Sequence, residues 1–197
     1  TGAVLGVGKL SVAISNSNFD GWRVHSGSKR TVINANLVSN LSERTKLGVY
    51  LVGASNLFHI PGPLTQAQFD ADPQQSNPTY LSRDERRYNR LGRIGITLDH
   101  SVNDMHEFSS MVYLNPKYLQ RSERNTFRDF TRYHLGGNFI YRNNLNFSED
   151  VTNKLTVGVD EAYQDGAILF YGLTPTNGRN SNDLRDNKRE GANTFGT

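Results

Sequence analysis

The sequence predicts an all-β fold, with about seven antiparallel strands forming part of the wall of a transmembrane β-barrel. Three observations carry this expectation. Apolar residues recur at every second position in segment after segment, the period of an extended chain whose side chains alternate between two faces. No convincing helix separates those segments. The connections alternate between long and short, which gathers the long loops at one end of the sheet and the short turns at the other.

After residues 1–5 and a glycine turn at "GVGK" (6–9), "KLSVAISN" (9–16) opens the first strand. Leu10, Val12 and Ile14 share one side of it, and Lys9, Ser11, Ala13 and Ser15 share the other. "TVINANLVS" (31–39) keeps the period with Ile33, Ala35 and Leu37, and "LGVYLVGASNLF" (47–58) with Leu47, Val49 and Leu51. Four more strands follow: "RIGITLDH" (93–100), "EFSSMVYLNP" (107–116), "TRYHLGGNFIYR" (131–142) and "KLTVGVDEAY" (154–163). Their opposite faces are wet, carrying for example Asn34, Arg93, Asp99, Glu107, Arg132 and Asp160. Glu161 departs from the pattern, because it shares the parity of Leu155, Val157 and Val159. It lies above the bilayer or a bulge shifts the register there.

The connections separate a membrane wall from a β-sandwich. Long stretches at residues 18–28, 59–88 and 172–193, with a medium one at 121–129, alternate with short ones at 39–44 and 101–105, and 143–153 falls on the turn side of that alternation. A sandwich gives no reason for that alternation, whereas membrane barrels have short turns on one side and long loops on the other. On the sixth strand Tyr133 and Tyr141 share the apolar parity eight positions apart. At roughly 3.3 Å per residue and a tilt near 45° they are about 19 Å apart along the membrane normal, near the height of an apolar band edged by aromatic residues. Phe108 and Tyr118 frame the fifth strand in the same way.

Composition bounds the function. Of 197 residues, 36% are hydrophobic and 21% charged, proportions ordinary for a soluble protein. Mean hydropathy is -0.60, and no apolar run approaches the roughly 18 to 20 residues of a spanning helix; strands are exempt from that test. Cysteine is absent, which removes disulfides, thiolate metal sites and cysteine nucleophiles. The 22 Lys and Arg stand among 19 Asp and Glu without forming a stripe, so nucleic-acid binding is not indicated. Nothing near Thr1 has the order of a signal peptide, and "GANTFGT" stops as an extended segment begins. Both ends are read as cuts in a longer chain.

"FDGWRVHS" (19–26), "PGPLTQAQFDADP" (61–73), "RDERRYNRLGRIGITLDH" (83–100) and "KREGANTFGT" (188–197) resemble the barrel of a TonB-dependent outer-membrane receptor. That family imports ferric siderophores, ferric citrate, cobalamin and similar scarce ligands. The resemblance implies a 22-strand barrel in the outer membrane of a Gram-negative bacterium, with residues 1–197 as a partial barrel domain supplying roughly a third of the wall. It further implies a plug domain and a TonB box, neither of which is seen in this sequence. In the family, ligand binds loops and plug outside, and TonB, powered through ExbB and ExbD, remodels the plug. The partners implied are a ferric chelate or similar small ligand, TonB with ExbB and ExbD through the plug, and outer-membrane lipid. An isolated piece of such a wall would have two exposed sheet edges.

The strongest charged constellation is "RDERRYNRLGR" (83–93). By strand parity Arg87 and Arg93 face the lumen, and Arg121 and Arg132 on neighbouring strands are expected at similar heights, a wall of guanidinium forks for carboxylate, catecholate or phosphate groups. The competing reading pairs these arginines with Asp84, Glu85, Glu123 and Asp129. Trp22, Arg23 and His25, with Tyr80 in the next loop, would present an aromatic and cationic mouth; alternatively Trp22 anchors its loop to the rim. "PGPLT" reads as a turn. His25, His59, His100, His106 and His134 show no metal-ligand spacing, and no resident metal or cofactor is expected. "GVGKL" lacks the spacing of a phosphate loop. No serine sits in a nucleophile elbow, so an enzyme is not expected. The principal alternative is a small outer-membrane barrel with an adhesin or structural role, which requires strands that close on themselves.

Overall fold

A computed structural model describes residues 2–5, 8–123, 125–146, 152–174 and 178–197. The turn expected at Gly6 and the Glu123 carboxylate lie outside what is described. The strands are β1 (Gly2–Leu5), β2 (Gly8–Phe19), β3 (Ser28–Ser42), β4 (Thr45–His59), β5 (Arg86–Ser101), β6 (His106–Glu123), β7 (Thr126–Asn146), β8 (Thr152–Leu173) and β9 (Arg179–Gly196). They form one sheet in sequence order, each strand antiparallel to the next. β1 and β9 are its edges, and the sheet does not close.

Register turns the alternation of each strand into rows across the sheet. Val12 pairs with Ala35, Ala35 with Leu51, Leu51 with Ile94, Ile94 with Leu114, Leu114 with Leu135, and Leu135 with Tyr163. A second row runs Leu10, Leu37, Val49, Ile96 and Val112. None of the described residues covers this face. Val112 is 55% exposed, Leu135 52% and Val157 54%, and the buried hydrophobics among the described residues are Phe127 and Tyr171 alone. A sandwich would bury this row under a second sheet; here the apolar band is outermost, as in a barrel wall.

The band steps along the rows. It is centred on the Val12–Ala35 pair at β2 and on the Phe139–Val159 pair at β8, the stagger that strand tilt produces. Its lower edge is aromatic: Phe108 pairs with Tyr141, their ring centroids lie 5.2 Å apart, and His106 Nδ1 meets the Tyr141 hydroxyl at 2.6 Å. At the upper edge Arg90 stacks its guanidinium 4.3 Å from the Tyr118 ring centroid and 4.9 Å from that of Tyr88. Glu161 involves no bulge, since its pairing with Gly137 continues the β7–β8 register. Nor does it lie above the band: Glu161 sits between Val159 and Tyr163 on the apolar face, two residues from the band's centre at β8, and its Oε1 accepts from Asn193 Nδ2 at 3.3 Å.

Three expectations about connections need correction. Residues 172–193, expected as a loop, are largely strand: β8 continues to Leu173 and β9 begins at Arg179. β9 is polar on both faces over most of its length, so no period announces it. Its pairing with β8 is made by main-chain groups, which are indifferent to side-chain pattern. The loop expected at 121–129 is a hairpin instead, with β6 and β7 running to residues 123 and 126. The long β4–β5 connection holds two short helices, α1 (Gln66–Ala71) and α2 (Pro78–Ser82). Thr65 and Gln68 make a reciprocal capping box on α1, and Asn77 caps α2 with Pro78 in its first turn.

Candidate functional site

Two loops build a platform at the long-loop end. Arg23, in the β2–β3 loop, donates from Nε and Nη2 to the Gln75 carbonyl at 3.0 and 2.9 Å, and from Nη1 to the Gly62 carbonyl at 2.9 Å. Val24 N–H donates to the Gln74 carbonyl at 2.8 Å, and His59 N–H to the Gly27 carbonyl at 3.0 Å. Arg23 is thereby spent on carbonyls of the β4–β5 loop. Gly62, at φ 72°, lets the chain pass close over Tyr80, where an added Cβ would lie 2.5 Å from the ring. Tyr80 props this loop from beneath. Trp22, 60% exposed, instead edges a cleft of about 510 Å³ with Leu64, Phe69 and Pro73. The expected mouth of Trp22 and Tyr80 is thus divided: Trp22 faces a cleft of mixed lining, where Arg23, Thr65 and Gln66 stand beside the apolar residues, and Tyr80 lies elsewhere.

Below the platform the polar face carries a row of arginines. Arg87 pairs with Arg121, and Arg121 with Arg128. Adjacent antiparallel strands lie about 4.5 to 5.5 Å apart, so three guanidinium groups spread over about 10 Å. Aromatic rings bracket them, with Phe58 beside Arg87 at 6.0 Å and Phe170 beside Arg128 at 5.3 Å to the ring centroids. Three like charges in one row repel, and stacking on ring faces offsets part of that cost.

The other arginines named from the sequence are elsewhere. Arg93 sits six residues along β5 from Arg87, about 20 Å away, and Arg132 four residues along β7 from Arg128, about 13 Å away. Arg132 reaches past Gly166 to an ion pair with Glu190; a Cβ at Gly166 would meet main-chain atoms at 2.5 Å, so the passage is open only to glycine. The expected common height of Arg87, Arg93, Arg121 and Arg132 therefore reduces to Arg87 and Arg121. Arg128 completes the row. It went unassigned because residues 121–129 read as loop, although Arg128, Phe130 and Arg132 keep the two-residue period.

The competing expectation holds for two arginines of the charged constellation, Arg86 with Asp84 and Arg83 with Glu85, while Asp129 is taken by an arginine outside it, Arg179. Asp84 Oδ2 takes Arg86 at 2.8 Å, the fully buried Glu85 lies 3.9 Å from Arg83, and Asp129 takes Arg179 at 3.0 Å. His25 and His59, 34 positions apart in sequence, stand with ring centroids 4.7 Å apart, each facing Asp84. Burial holds the His25 imidazole pKa below its ordinary value, partly countered by its hydrogen bond to the Glu85 carbonyl.

An open antiparallel sheet with an uncovered apolar band on one side and an arginine-bearing polar face on the other defines a segment of a β-barrel wall. The chain is similar over 98% of its length to the crystal structure of the ferric citrate transporter FecA in the unliganded form, with a TM-score of 0.76 and 16% identity, covering 30% of that chain. It is also similar over 95% of its length to the RagAB peptide importer in the closed-closed state, with a TM-score of 0.60 and 10% identity, covering 27% of that chain. The chain thus spans less than a third of either. No family model matches the sequence.

Proposed function

We propose that this chain is wall and loops of a TonB-dependent outer-membrane importer of a scarce anionic ligand, a ferric siderophore or ferric citrate. The observation that carries the proposal is the Arg87–Arg121–Arg128 row on the polar face beneath the loop platform. In this reading the apolar band meets outer-membrane lipid and the polar face lines a plugged, hydrated lumen. TonB, with ExbB and ExbD, acts through the plug rather than through these strands. Planar guanidinium forks match carboxylate and catecholate oxygens, and Trp22 and Phe69 offer flat apolar surface to the organic part of a chelate.

Growth-limiting uptake by the full-length protein, over a panel of ferric chelates, tests this. A charge-assisted hydrogen bond is worth about 1.5–3 kcal/mol, so Arg121→Ala or Arg128→Ala should weaken one anionic chelate by about 10- to 100-fold at normal membrane levels. Arg93→Ala should matter less. Normal uptake of every chelate by the Arg87, Arg121 and Arg128 variants would sink the basic-row assignment. Failure of the wild type to import any chelate would sink the iron reading.

A further inference from the structure

We propose that His25, His59 and Asp84 form a binding site for a divalent transition-metal ion of the zinc type, which ties the β2–β3 loop to the β4–β5 loop. The proposal is independent of what the barrel transports. His59 Nε2 lies 3.3 Å and His25 Nε2 3.8 Å from Asp84 Oδ1, and one donor atom from each of the three residues falls within 4.8 Å of the others. Zinc holds nitrogen and oxygen donors at about 2.0–2.2 Å, so neighbouring donors of a tetrahedron stand about 3.3–3.5 Å apart. The His59–Asp84 separation already has that value, the His25–Asp84 one needs a contraction of a few tenths of an ångström, and the two imidazole donors, within 4.8 Å of each other, close the remainder by turning about their side-chain torsions.

Two imidazoles and a carboxylate suit zinc and its neighbours in the first transition row better than magnesium or calcium. The donors come from three separate segments, so their convergence is a property of the fold. His25 and Asp84 both adopt positive φ, 61° and 46°, a backbone conformation few residues with a Cβ hold. Both are turned toward the same point.

The surroundings orient the donors as outer groups do in metal centres. Arg86 Nη1 holds Asp84 Oδ2 at 2.8 Å and the Asp84 carbonyl at 3.0 Å, while Oδ1 faces the imidazoles. The Glu85 carbonyl stands 3.0 Å from His25 Nε2. Metal binding releases the proton from that nitrogen, and the carbonyl is then a further oxygen within reach. The His25 side chain is 9% exposed, against 32% and 36% for His59 and Asp84, so an ion enters from the His59 side. Arg86 draws charge from the carboxylate, which makes this a site of moderate affinity.

The test uses the full-length protein in detergent, stripped with a chelator and titrated with Zn²⁺ by calorimetry. Co²⁺ absorption then reports coordination. Wild type should take up one equivalent that His59→Ala and Asp84→Asn each weaken at least about tenfold, the scale of losses seen for groups that only support a metal centre. His100→Ala and His134→Ala should leave that equivalent unchanged. Zinc should also slow protease cleavage within residues 60–85 of wild type and of His100→Ala, but not of Asp84→Asn. Heat-modifiable mobility on gels reports whether each variant has folded. If folded His59→Ala and Asp84→Asn bind Zn²⁺ as wild type does, or if wild type binds none, the assignment is overturned.

Discussion

A single arginine placed in the apolar band measures whether that face meets lipid. Val112 is the position of choice. It lies on β6 four residues from Pro116, which pairs with Tyr133 at the band's upper edge, and four from Phe108, which pairs with Tyr141 at the lower. Four residues span about 13 Å of strand, or about 9 Å along the normal at a 45° tilt, so Val112 sits near the midplane. Arginine there should cost about 2–4 kcal/mol, falling to about 0–1 kcal/mol near the edges. Ser109→Arg, on the same strand but facing the other way, gives up the hydrogen bond that Ser109 accepts from Arg142 and should cost about 1 kcal/mol, less than Val112→Arg. Urea titration of the full-length protein refolding into phospholipid vesicles reads the difference: Val112→Arg should lower the folded-to-unfolded ratio by about 30- to 1000-fold. Equal losses at Val112 and Ser109, or none at Val112, would mean that the exposed band faces something other than lipid.

Two further outcomes concern the loop platform. Arg23→Ala removes three hydrogen bonds to the carbonyls of Gln75 and Gly62 and should speed amide exchange and protease cleavage in residues 60–85 by tenfold or more, given about 1.5–3 kcal/mol for a single charged hydrogen bond; unchanged protection would show that the loop holds itself. Gly62→Ala forces a Cβ onto the Tyr80 ring at positive φ and should cost about 1–3 kcal/mol, seen as increased cleavage of the same loop while the barrel's urea midpoint is unchanged.

How legible the fold was depended on burial. β2 to β8 were readable because each has one apolar face, and the same parity placed Arg87, Arg93, Arg121 and Arg132 on the polar side. β9 was not, because only Leu184 and Phe195 interrupt its polar run. Above the apolar band neither face needs to be hydrophobic, so main-chain pairing leaves no trace in the pattern. That also hid the β6–β7 hairpin, and with it Arg128. The helices α1 and α2 carried local signals, Thr65 with Gln68 and Asn77 before Pro78, which a period search passes over in segments of six and five residues.

By itself the sequence determined the class of architecture, the sidedness of the strands and the exclusion of helical spans, since all three follow from local alternation and composition. Only the tertiary structure decided which side chains share a height. Register sets that, and one residue pair moves a side chain by more than 3 Å. It aligned Arg87 with Arg121 and Arg128 while sending Arg93 and Arg132 down the wall. It also joined His25 to His59 and Asp84, whose separations in sequence carry no ligand spacing. Loop closure over a rigid sheet is a long-range event that no local window contains, and at this end of the barrel it determines the chemistry.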